Sequence, residues 1–156
     1  MKTISIIFIS LFSIAVIYLF SLSIKSHSGH APGLVNDKLS RCPDTHNCIN
    51  SEYIDHADHY IPPIKYSTNN QPGLLVLEKL HDLIVQMGGT IEDQDNNYIA
   101  ATFTSLIFRF VDDLEVRIDE EKNLIHLRSA SRVGRRDMGV NKKRVELIKA
   151  IYNKQQ

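Results

Sequence analysis

Seven of the residues from Arg128 to Arg144 are basic, and Asp137 alone among them is acidic. The placement matters more than the count. Lys142, Lys143 and Arg144 fall in the first turn of a helix expected from Asn141. That end of a helix already carries partial positive charge, so cations there are unfavourable by roughly a few tenths of a kcal/mol each. A negative group is therefore expected beside them. One source is external: a phosphate, lipid headgroup or acidic polymer held by Arg128, Ser129, Ser131, Arg132, Arg135, Arg136, Asn141 and Arg144, since helix N-termini behind Gly-containing loops are ready anion sites. The other source is internal. Asp137 can cap the helix, and Asp112, Asp113 and Glu115 sit on a strand expected beside this segment, where they would form a charge network with it.

Other chemistries fit less well. Gly134 and Gly139 have the four-residue gap of a phosphate-binding P-loop, but Val140 and Asn141 stand where that motif needs Lys and Ser or Thr. Neither Gly-x-Ser-x-Gly nor His-Glu-x-x-His occurs. His126 with Asp112 or Asp113 could serve as an acid–base set. Yet adjacent carboxylates on a strand point to opposite faces, which makes a poor dyad.

Cys42 and Cys48 flank a short loop that also holds Pro43, His46 and Asn47. In an oxidising compartment such a pair closes a disulfide, and a ring this small stabilises by about 2 kcal/mol. Free thiols are one alternative. Zinc is the other, because His46, His56 and His59 lie close in sequence; but C-x3-H-x-C matches no common structural zinc pattern. No metal and no cofactor is assigned.

From Thr3 to Ile24 there is no charged residue. A helix needs about 20 apolar residues to cross the hydrocarbon core, and a signal peptide's apolar region is shorter, about 7–15. Residues 1–25 are read as a membrane anchor, spanning with residues 4–24, and as an export signal if the end is cleaved. The charge flanks, Lys2 with the α-amino group against Lys25, favour the start inside by a narrow margin. The domain then lies on the periplasmic or extracytoplasmic side. Lys2 and Lys25 are the only charges before position 26, so the equal totals of 18 basic and 18 acidic residues leave the remainder slightly acidic. That argues against general nucleic-acid binding, which needs an excess of positive charge.

Residues 26–41 are rich in Ser, Gly, His and Pro and read as a linker. Residues 42–156 read as one globular domain. Within it, Tyr53 to Ile64 is expected as an edge strand or an extended arm ending at Pro62-Pro63. Asn69, Asn70 or Gln71 precede a helix from Pro72 to Met87, with Leu74, Leu77, Leu80, Ile84 and Met87 as its core stripe and Gly88-Gly89 as its stop. Thr90–Glu92 and Tyr98–Ser105 read as strands. Leu114, Val116 and Ile118 alternate with Glu115, Arg117 and Asp119, and Ile125 and Leu127 with His126 and Arg128. This is a hairpin with one apolar and one charged face, in which Glu115 or Asp113 meets Arg128. A last helix runs from Asn141 to Tyr152, with Val145, Ile148 and Tyr152 inward. The fold class expected is α+β: a two-layer sandwich of an antiparallel sheet of about four strands with two helices on one face, preceded by one N-terminal transmembrane helix.

Three blocks, Cys-Pro-Asp-Thr-His-Asn-Cys at 42–48, Phe-Val-Asp-Asp-Leu-Glu at 110–115, and Arg-Ser-Ala-Ser-Arg-Val-Gly with Asp-Met-Gly-Val-Asn at 128–141, resemble the bacterial and plant family called domain of unknown function 1499. The resemblance runs in order from about Cys42 to Arg144. Arg136 stands where that pattern has a small hydroxyl residue. The resemblance implies no activity; it implies that the Asp-Asp-x-Glu and Arg-Ser-x-Ser-Arg blocks belong to one module and face each other. The reading that follows is a membrane-anchored envelope-accessory domain, non-enzymatic on balance, that binds an anionic ligand. The alternatives are a protein-interaction module of an envelope complex, using the Tyr53–Tyr66 arm, and an enzyme using His126.

Overall fold

The computed structural model describes residues 2–67 and 72–155. Its first element is a single helix, α1 (Lys2–His27). It is long and apolar enough to cross a membrane, a test that a signal sequence near an N-terminus also passes. Next come two short paired strands, β1 (Leu34–Val35) and β2 (Lys38–Leu39), then β3 (Cys48–Asn50), a 3-10 turn at Ala57–His59, and β4 (Ile64–Lys65). The helix α2 (Gly73–Gln86) leads into β5 (Thr90–Gln94), β6 (Tyr98–Thr104), β7 (Val111–Asp119) and β8 (Leu124–Ser131), and α3 (Val140–Lys154) closes the chain.

The fold is α+β, with a six-stranded antiparallel sheet in the order β3-β8-β7-β6-β5. β3 and β4 share the outer edge of β8: Ile49 lies opposite Ser129, and Ile64 opposite Ile125. The expectation of about four strands is thus corrected to six. β3 and β4 hold three and two residues, too few for the alternation that marks a strand in sequence. The expected arm is no free extension, since Ile61, Ile64 and Tyr66 are buried.

The core joins Leu114, Val116 and Ile118 of β7, Ile125 and Leu127 of β8 and Ile99 and Ala101 of β6 to α2 and α3. α2 packs against β5 and β6, and α3 against β8 and β3. Its buried stripe on α2 is Val76, Leu77, Leu80, Leu83 and Ile84; Leu74 instead faces solvent. The helix begins one residue later than expected, with Pro72 as N-cap in extended backbone. The polar residues 69–71 proposed to precede it lie outside the described residues. On α3, Val145, Ile148 and Tyr152 are inward, while Leu147 is half exposed.

The alternate residues of the same strands are charged, and they too are buried. Asp113, Glu115, Arg117, Asp119, His126 and Arg128 are all under one-tenth exposed. The stretch expected as a linker is what covers part of this face. Leu39 of β2 is wholly buried against Tyr98 and Ala100, and the Gly33 amide donates to Glu115 Oε1 at 3.0 Å. Ser-, Gly- and Pro-rich composition gave no sign of this packing.

Candidate functional site

The basic segment begins at the end of β8 and runs over the loop to α3. The β7–β8 register sets its partners: Glu115 lies opposite Arg128, Asp113 opposite Ala130 and Asp112 opposite Ser131. Of the two registers open from sequence, the one that pairs Glu115 with Arg128 is adopted.

Arg128 Nη1 donates to Glu115 Oε2 at 2.6 Å. The same carboxylate accepts from Tyr98 Oη at 2.8 Å and from the Gly33 amide. Burial nevertheless pushes the Glu115 carboxyl above the usual carboxylate range, against the pull of Arg128 and Tyr98. Burial and the neighbouring Glu115 charge raise the Tyr98 phenol in turn.

Asp112 and Asp113 turn to opposite faces and are taken by different arginines. Arg132 donates to Asp113 Oδ1 through Nε at 2.9 Å and Nη2 at 2.7 Å. Arg144, from α3, donates to Asp112 Oδ2 at 2.9 Å and lies over the Phe103 ring.

Asn141 is the hub of the helix end. It is nearly fully buried, and its Oδ1 accepts from Ser129 Oγ at 2.6 Å. Its Nδ2 lies 3.1 Å from the Asn47 carbonyl, 3.0 Å from Ser131 Oγ and 2.9 Å from Asp137 Oδ2. Asp137 occupies the start of α3: its Oδ2 accepts from the Asn141 amide at 2.7 Å and its Oδ1 from the Gly139 amide at 2.9 Å. The anion that the helix end requires is therefore internal.

The disulfide loop braces this assembly. Cys42 and Cys48 are joined, which uses both thiols and leaves no thiolate for zinc. Asn47 Nδ2 donates to the Gly134 carbonyl at 3.0 Å, and the Ser131 amide donates to the Asn47 carbonyl at 2.9 Å. His46 forms an isolated backbone bridge with Arg136. His59 is spent on the Cys48 carbonyl, 2.9 Å from its Nδ1.

Within the segment the arginines thus divide into two classes. Arg128 and Arg132 hold buried carboxylates and Arg144 a partly buried one, each arginine side chain being about one-tenth exposed or less. Arg135 and Arg136 are exposed and form no ion pair among the described residues. Lys142 and Lys143 are exposed beside them. Arg136 also lines a cavity of about 320 Å³ together with Leu19 and Leu22 of α1, Phe110, Val133 and Val140.

His126 does not join Asp112 or Asp113. It lies opposite Arg117, with Nδ1 3.2 Å from Ser51 Oγ and 3.7 Å from Glu52 Oε2. Burial lowers its pKa, with Arg117 in the same sense, while Glu52 and Asp119 raise it. Arg117 Nε donates to Glu52 Oε1 at 2.7 Å. Ser51 and Glu52 were not legible from sequence, where neither stands in a motif. The Ser51 hydroxyl accepts from the Leu127 amide at 2.8 Å, and Ser51 is buried, so a substrate has no approach to this serine.

The family described as Protein of unknown function (DUF1499) matches residues 38–151, and the chain belongs to that family. The matched range takes in the disulfide loop, the paired aspartates and the basic segment, which the geometry above joins into one unit. No curated protein and no solved structure matches the chain.

Proposed function

For this member of the DUF1499 family, we propose a non-enzymatic, membrane-anchored domain that binds an anionic ligand through the exposed cations of its basic loop. The observation that carries this reading is the division of the arginines. Internal carboxylates account for Arg128, Arg132 and Arg144, and Asp137 accounts for the helix end. Arg135 and Arg136 remain, exposed on a loop whose backbone is braced by Asn47 and His46. A guanidinium pair held on a braced loop suits a phosphate-type group, to which Arg donates in a bidentate manner. The ligand set expected from sequence narrows accordingly: Arg128, Ser129, Ser131, Arg132, Asn141 and Arg144 position the loop, and Arg135 and Arg136 meet the ligand.

The anchor reading rests on the length and apolarity of α1. The extracytoplasmic reading rests on the Cys42–Cys48 disulfide, since such bonds persist in oxidising compartments.

The test is calorimetric titration of the full chain, in neutral detergent, with inorganic phosphate and glycerol phosphate. Binding that disappears in Arg135→Gln/Arg136→Gln supports the reading. Equal binding by that variant, or none by the wild type, refutes it.

A further inference from the structure

The two loops that flank the end of α1 carry exposed apolar side chains. Leu106 is 93 % exposed and Ile107 83 % in the β6–β7 loop, and Met138 is 95 % exposed in the basic loop. Met138 is held outward at φ 56, and Arg109 beside Ile107 stands at φ 57. Left-handed backbone is uncommon for non-glycine residues and is worth a functional question where it occurs. Water is a poor environment for such tips, because apolar surface is favourably removed from it.

Their position answers where they belong. The last turns of α1 are docked on the domain. Ser26 is fully buried, with its Oγ accepting from the Val111 amide at 3.2 Å and its carbonyl from Arg132 at 3.3 Å. Leu19 and Leu22 line one cavity with Ser105, Phe110, Val133, Arg136 and Val140. Helical rise is about 1.5 Å per residue, so Leu19 lies roughly 7 Å inside the uncharged run that ends at Ile24. Whatever packs beside Leu19 is at the same depth. If α1 crosses a bilayer, the 105–110 loop and the 133–140 loop reach its surface layer. Arg109, Arg135 and Arg136 are exposed in the same two loops as these apolar tips, the composition of an interfacial binding face, in which apolar groups enter the layer and cations meet the headgroups. The carboxylates nearby do not oppose this, since Asp112 is paired with Arg144 and Asp137 with the α3 amides.

We propose that this face docks on the leaflet from which α1 emerges, with Leu106, Ile107 and Met138 in the interfacial layer and anionic phospholipid headgroups on Arg135 and Arg136. The inference rests on the anchored, anion-binding reading above and names its ligand: the membrane surface itself. The cavity between α1 and the basic loop is apolar at Leu19, Leu22 and Val140 and cationic at Arg136, complementary to the chain and phosphate of a phospholipid, and the two carboxylates that also line it, Asp112 and Asp137, are held by Arg144 and the Asn141 amide.

The chain contains no Trp, so one introduced Trp reports one site. The full-length Ile107→Trp and Glu121→Trp proteins are reconstituted into vesicles of phosphatidylcholine, with and without phosphatidylglycerol, whose acyl chains carry bromine. Glu121 lies in the turn at the far end of β7, and both sites are exposed. The expected result is blue-shifted, quenched emission for Ile107→Trp and neither change for Glu121→Trp. Quenching should increase with phosphatidylglycerol, and Arg135→Gln/Arg136→Gln should remove that increase. Vesicle-bound protein with unquenched Ile107→Trp emission overturns the docking and leaves the anchor standing. Equal quenching with and without phosphatidylglycerol overturns the headgroup assignment alone. Protein that does not float with the vesicles overturns the anchor and the docking together.

Discussion

Glu115 and Arg128 stand directly opposite each other on β7 and β8, and their side chains meet at 2.6 Å in a place where Glu115 is 0 % exposed. A buried pair of this kind is costly to break, because removing one partner strands the other charge. Arg128→Met is expected to destabilise the domain by about 3–5 kcal/mol. Urea unfolding would measure it. Glu115→Gln combined with Arg128→Met should cost less than the sum of the two single changes, and additive losses would contradict the pairing.

His126 gives the stability a pH dependence. Its imidazole is held below its ordinary pKa, chiefly by burial, so the unfolded chain binds its proton more readily than the folded one. Stability from this group is fully present above the unfolded value, about 6.5, and is lost as pH falls from there toward the folded value. Of the charged groups around the ring, Arg117 is raised and Asp119 lowered from their ordinary values, so neither changes charge over the same window. Unfolding midpoints between pH 7.5 and about 5 should therefore fall for the wild type and flatten in His126→Gln. A wild-type profile as flat as that of the variant would refute the assignment.

Asn141 holds Ser129, Ser131, Asp137 and the Asn47 carbonyl together from one side chain. Asn141→Ala strands buried polar groups and is expected to cost about 1–3 kcal/mol. Hydrogen exchange should speed up in both the 46–48 and 131–139 segments. A change confined to α3 would show that the hub does not couple the two loops.

The disulfide acts on the same unit. Cys42→Ser/Cys48→Ser is expected to lower stability by about 2 kcal/mol. It should also weaken phosphate binding, since Asn47 and His46 hold the backbone around Gly134 and Arg136. Full affinity in the reduced protein would separate the brace from the site.

Much of this architecture is legible in the sequence, and the misses have physical causes. Helix periodicity locates α2 and α3, Gly88-Gly89 marks the end of α2, and strict alternation locates β7 and β8. Strands of two or three residues, β3 and β4, leave no periodic trace. The charged face of the hairpin suggests solvent contact, yet Glu52, reached by Arg117, and Gly33, reached by Glu115, cover it from distant segments. Such long-range cover is invisible to local patterning. For the site, the excess of positive charge between Arg128 and Arg144 was apparent. Which arginines it employs depended on register: Asp113 and Asp112 claim Arg132 and Arg144 only because adjacent strand residues face opposite ways.

One comparison separates the structural from the ligand-facing arginines of the basic loop. Arg132→Gln and Arg135→Gln/Arg136→Gln are unfolded side by side in neutral micelles, each with and without phosphatidylglycerol. Arg132→Gln should lower stability without lipid, because Asp113 loses its partner. The double variant should stay within about 0.5 kcal/mol of the wild type, as exposed substitutions do. Anionic lipid at about 100 times its dissociation constant should stabilise the wild type by about 2.7 kcal/mol and leave the double variant unmoved. A double variant that unfolds as readily as Arg132→Gln, or that gains as much from the lipid as the wild type, would refute that division of the arginines.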